Sequence, residues 1–210
     1  MKLKLNRINS CLMGILIFLN TQSIYPKPSL MEGVVLNDTI QEALFYNASG
    51  TIEGQKKAFE LANRSFTHES DPIAARLLAN FYYMGKIIEV DKNAALDYFL
   101  IASEVDSESA YKAALMLLNG DGVEPDIVMG AQLMRQAADM GNDKAQFEMA
   151  STSLAQSKLE ENQKIKESLE KNSLYYSKLC FESNVECQKV FTTLVQNGKA
   201  GLKILSDTSN

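Results

Sequence analysis

The chain of 210 residues has no tryptophan, one histidine, three cysteines and four prolines. Each scarcity excludes something. With His68 alone, a multi-histidine metal centre or a serine–histidine catalytic pair is hard to assemble, and the polar stretch Thr67–Ser70 around it reads as a solvated linker. No stretch alternates with period two for long enough to make a strand. The glycine-rich Gly120-Asp121-Gly122-Val123 has no strand before it and no lysine after it, so it is a helix stop rather than a phosphate loop. The dense carboxylates (Glu160, Glu161, Glu167, Glu170) alternate with lysines and read as a solvated helix face. Nothing here asks for a metal or a cofactor.

Positive charge is also short. Basic residues number 21 against 26 acidic ones, a net charge of −5. Three of the basic residues (Lys2, Lys4, Arg7) fall within the first 23 positions and none of the acids do. Such a balance repels phosphate and argues against nucleic acid and anionic membrane surfaces. A basic partner is electrostatically easier.

Long apolar runs are confined to one place. Cys11–Leu19 (CLMGILIFL) follows a basic start and precedes a polar segment ending at Ser23. Nine apolar residues fall well short of the ~20 needed to span a bilayer, so residues 1–23 read as a signal peptide for export to the periplasm or beyond. No membrane attachment is expected once it is cleaved. Export leaves Cys180 and Cys187, and two thiols in an oxidising compartment are a candidate disulfide.

What is abundant is helical grammar. Residues 24–37, with Pro26, Pro28 and Gly33, form an expected flexible lead-in, and 201–210 an expected tail. Asp38 or Thr39 can cap a first helix to about Ala48, and Thr51 a second to about Phe66; Asp71-Pro72 then opens a third. Shifting the chain by 35 residues places Ala75 on Ala110, Ala79 on Ala114, Gly85 on Gly120, Asp91 on Asp126 and Ala102 on Ala137. Each coincidence serves one step of a helix–turn–helix unit: small residues for close approach, glycine to stop, aspartate to start. The expectation is an all-α, right-handed α-solenoid of stacked antiparallel helix pairs over 38–200, clearest over 74–143.

Those residues carry a family resemblance. The small–apolar–small–aromatic spacing, the Gly120-x-Gly122-Val123 turn, the following Asp126 and the closing Ala137-Ala138 and Gly141-Asn142 resemble the Sel-one-like repeat, a tetratricopeptide-like unit. The first copy departs by having Ile87 at the second glycine, and a third copy from Ala145 lacks the glycine pair. The resemblance implies a scaffold that binds another protein on the concave surface lined by the first helix of each pair. It implies no enzyme. It also implies that Cys180 and Cys187, seven apart like the helix junction between Ala138 and Ala145, staple neighbouring helices as cysteine pairs do in secreted relatives. On the first helices, Arg76, Asn80 and Tyr83 of one copy and Tyr111, Leu115 and Leu118 of the next share a face not claimed by packing residues. They are the candidate contact surface. Two roles suit an exported scaffold: a periplasmic adaptor or regulator, and an immunity protein that neutralises a toxin. The competing reading is a secreted enzyme with penicillin-binding or weak β-lactamase activity, since Ser-x-x-Lys occurs at Ser109–Lys112 and Ser168–Lys171. Its companion Ser-Asp-Asn and Lys-Thr-Gly motifs are missing.

Overall fold

A helix can begin where a side chain takes up its first free amides, and such starts recur along this chain at nearly regular intervals. The computed structural model describes residues 37–197. The expected signal peptide, nearly all of the lead-in and the expected tail lie outside the described residues. Among those described there are nine helices and no strand. In chain order they are α1 (Asp38–Ala48), α2 (Ile52–Glu69), α3 (Pro72–Met84), α4 (Lys92–Ala102), α5 (Ser107–Asn119), α6 (Ile127–Asp139), α7 (Asp143–Leu159), α8 (Gln163–Leu179) and α9 (Val185–Asn197).

The helices pack as successive hairpins: α1 on α2, α3 on α4, α5 on α6, and α7 on α8. Each hairpin then meets the next, and α9 packs on α8 and α7. This is the nearest-neighbour stacking of a solenoid, as the 35-residue repeat predicts.

Two sets of caps set the register. The first helices of the hairpins start at Asn37, Asp71, Asp106 and Asn142, whose side chains accept from Ile40, Ile73, Ser109 and Ala145 amides respectively. The second helices start at Thr51, Asp91, Asp126 and Asn162 in the same manner. The sets differ in setting. Every second-helix cap is exposed, whereas Asp106 and Asn142 are buried where one hairpin meets another.

Two local expectations are corrected. The first cap is Asn37 rather than Asp38 or Thr39, because the Asn37 amide also donates to Ser65, Glu69 and Asp71 at the next hairpin junction. Helix α2 continues past Phe66 to Glu69, so His68 occupies an exposed last turn instead of a linker. Polar residues facing solvent do not end a helix; Ser70 ends it by taking a left-handed conformation (φ 51°) just before Asp71.

Small residues let the layers approach. Ala75, Ala79, Ala95, Ala102, Ala110, Ala114, Ala137, Ala138, Ala145 and Ala150 are all fully enclosed. Larger side chains fill what remains, above all Phe99, which is completely buried, with Tyr83 of its own hairpin edge-on to its ring. At the third hairpin's turn Gly122 has φ 73°, and a Cβ there would lie 2.5 Å from the Lys92 side chain of the hairpin before it. A glycine therefore serves that turn twice, by conformation and by clearance.

Because the Asp106 cap is enclosed and the second-helix caps are wet, removing one of each should have unequal effects. Asp106→Ala is expected to destabilise by about 2–3 kcal/mol and Asp126→Ala by about 1 kcal/mol. Urea denaturation followed by circular dichroism checks this; equal losses would show that burial adds nothing to the cap.

Candidate interaction surface

Placing the caps of α3, α5 and α7 at a common level lays these three first helices side by side, running the same way. The contacts between them follow that order along their length. At the start of the helices, the Arg76 guanidinium lies 3.7 Å from the Asp106 carboxylate. One turn on, the Lys112 amine donates to Asn80 Oδ1 at 2.8 Å. At the far end, the Tyr83 hydroxyl donates to Asp121 Oδ2 at 2.6 Å. The next pair repeats the first step: Asn142 donates to Glu108, and Lys144 pairs with Glu108 at 3.4 Å.

The six residues read from the sequence are therefore all half-buried, and the fold divides them. Arg76 and Asn80 stand together, linked by the Asn80 amide donating to the Arg76 carbonyl, and they face Asp106 and Lys112 across the junction. Tyr83 stands further along, under the Lys92 amine at 3.2 Å from its ring centre. Tyr111 lies beneath Lys144, whose amine is 5.8 Å from the ring centre, and burial pushes its phenol above the ordinary range. Leu115 and Leu118 pack against the core cluster, and Leu118 fills the space left by Gly130 of its own hairpin.

Sequence reasoning missed Asp106, Asp121, Lys92 and Lys144, and read Lys112 only as the lysine of a Ser-x-x-Lys pair. For Lys112 a signal existed. The 35-residue shift sets it against Leu77, a buried residue, so a cation stands where the first copy has a packing side chain. Its amine lies 5.4 Å from the centre of the buried Phe99 ring. Burial pushes its pKa below the usual lysine value; Glu108 opposes this and Arg76 adds to it.

Asp121 behaves in the opposite sense. The Tyr83 hydroxyl bond, helped by Lys92 at 3.3 Å, holds its carboxyl below the ordinary aspartate range although the residue is partly exposed. Tyr83, Lys92 and Asp121 thus form a clasp joining the second hairpin to the third hairpin's turn.

The Ser-x-x-Lys pairs have different fates. Ser109 is fully buried and its hydroxyl is spent on Asp106, while Lys112 is directed to Asn80. Ser168 and Lys171 are exposed on α8. Among the described residues no group of three or more His, Cys, Asp or Glu could hold a metal, and no helix is long and apolar enough to cross a membrane. Cys180 and Cys187 are both fully buried, with Cα atoms 5.9 Å apart, a separation that a disulfide spans, and the structure joins their sulfurs.

Stacked hairpins with buried caps and small-residue junctions define the described region as an α-solenoid of helical repeats. Residues 72–106 and 107–142 each match the Sel1 repeat, so the chain is a helical-repeat protein carrying two Sel1 repeats. No curated protein matches the chain in sequence. Several solved structures share its fold. A protective antigen of uropathogenic Escherichia coli with an SLR fold superposes with a TM-score of 0.53 at 18% identity, over 79% of this chain and 38% of the antigen. A Sel1 repeat protein from Oxalobacter formigenes superposes at 0.52 with 17% identity, over 79% of this chain and 80% of that one. The chain thus spans well under half the length of the antigen.

The clasp gives a sign-definite prediction. A carboxyl held low adds stability above the ordinary aspartate pKa, and that contribution is lost as pH falls through the lowered value. Tyr83→Phe should therefore raise the Asp121 titration midpoint toward an ordinary aspartate, as read by carboxyl-detected NMR. An unchanged midpoint would mean that Lys92 alone sets it.

Proposed function

We propose that the protein is an exported scaffold of the bacterial cell envelope that binds another protein along the face formed by α3, α5 and α7. One observation carries this reading: three parallel first helices are fixed in register by side chains that cross from hairpin to hairpin, making a continuous, preorganised surface. Preorganisation spares a partner the entropy of ordering its target. Sel1 repeats generally bind protein partners, which supports the same reading. The buried Ser109 offers no nucleophile to a substrate.

The basic start and short apolar run of residues 1–19 support export. Within the envelope the two roles are a periplasmic adaptor or regulator and an immunity protein against a toxin. Deletion separates them. A regulator leaves an envelope defect, whereas an immunity protein is dispensable until a neighbouring toxin gene is expressed.

Two measurements test the proposal. In the first, a photocrosslinking amino acid is placed at Tyr83, at Tyr111 and at Tyr175, which is exposed on α8. A shared adduct with one identified periplasmic protein is expected from positions 83 and 111 and not from 175. The same adduct from all three, or none from the first two, overturns the binding face.

The second concerns compartment. Protein recovered from the periplasm is expected to begin after residue 23 and to resist alkylation at Cys180 and Cys187 until reduced. Closing this short loop adds about 2–3 kcal/mol on the chain-entropy view, so reduction should lower the urea midpoint. Free thiols on freshly isolated protein would remove the staple and weaken the case for export.

A further inference from the structure

Lys112 is an anomaly of the repeat. A lysine carries three donors, yet among the described residues its amine makes one hydrogen bond, to the neutral Asn80 Oδ1, and lies near no carboxylate closely enough to form an ion pair. Three other cations at the first-helix face are matched: Arg76 with Asp106, Lys92 with Asp121, Lys144 with Glu108. A half-buried charge normally has a partner, because desolvation without one is costly. The first copy shows that the position does not require a charge, since Leu77 fills it and is buried. The hollow beside Asn80 continues the site. It holds about 230 Å³ and is bounded by Asn47, Gln55, Leu77, Phe81, Met84 and Lys86.

From this we infer that the junction between α3 and α5 takes one carboxylate of a bound peptide, received by Lys112 beside Asn80, with the adjoining apolar side chain of that peptide set in the hollow. The inference rests on the binding reading above and names the chemistry of the partner. It also fixes a limit. A chain of net charge −5 repels a densely acidic ligand over distance, so the fitting segment carries a single acid in otherwise neutral or basic surroundings. Long-range attraction and short-range recognition here have opposite signs.

The test uses the full chain and a phage-displayed library of random dodecapeptides. Peptides that bind are resynthesised with each Asp or Glu changed to its amide. Four proteins are compared: wild type, Lys112→Leu (the first copy's solution, chosen to keep the fold), Asn80→Asp (which supplies the carboxylate from within) and Tyr111→Ala. Folding of each is verified by circular dichroism. The expected result is one recurring acid among the binders. Its amidation weakens binding to wild type about ten-fold or more, yet changes nothing in Lys112→Leu. Asn80→Asp weakens the unmodified peptide to a similar degree. If the binders lose affinity with Tyr111→Ala but amidation costs nothing, or costs the same in wild type and Lys112→Leu, the carboxylate inference is wrong and the binding face stands. If no binder emerges, or none responds to Tyr111→Ala, Lys112→Leu or Asn80→Asp, the face fails and the inference falls with it.

Discussion

The amides at the start of α5 and α7 sit against a neighbouring hairpin, where water has little access, and they must be satisfied from within the protein. Asp106 and Asn142 do this from positions only 3% and 7% exposed. Each also reaches the adjoining repeat, Asp106 through Arg76 and Asn142 through Ser107 and Glu108. A cap in such a place fixes two things together: where its own helix begins and how far along the neighbour it lies. Were α5 to start one residue later, Lys112 would turn about 100° away from Asn80. The register of the whole first-helix face therefore descends from these few side chains.

This explains why most of the fold could be read from the sequence and why parts of it could not. Asp71, Asp91, Asp126, Gly85 and Gly120 act on their own backbone, so their meaning is local and legible. Asn37 was overlooked because Asp38 and Thr39 are equally good caps in isolation; bonds to Ser65, Glu69 and Asp71, about 30 residues away, decide among them. The end of α2 is hidden in the sequence for a related reason, since polar residues alone do not stop a helix and Ser70 does.

The surface was legible to a lesser degree. Helical spacing places Arg76, Asn80 and Tyr83 on one side of α3, but it cannot say how deeply that side enters the junction. Packing decides depth: inside its own hairpin Leu118 turns toward Gly130, while across the junction Lys112 faces Asn80. In the sequence Lys112 stands out only through the serine three residues before it. Its counterpart one repeat earlier is the buried Leu77, so a charge stands at a packing position.

The face is also bounded, and the boundary has a physical cause. Without a glycine stop, α7 runs for 17 residues and α8 for another 17, against 13 for α5 and 13 for α6. Two helices each longer by about one turn delay the next first-helix start, so α9 begins 42 residues after α7 where the earlier first helices begin 34 to 36 apart, and among the described residues the crossing pattern stops at Lys144 and Glu108. At the displaced junction Cys180 and Cys187 stand where Ala138 and Ala145 stood one repeat earlier, all four fully enclosed. The alanines let their junction close, and Gln146, donating to the Ala138 carbonyl, and the Asn142 cap hold it. Where the hairpins no longer match in length, close approach loses the support of cap-to-neighbour bonds, and a covalent link between those same two positions supplies what the lost register cannot.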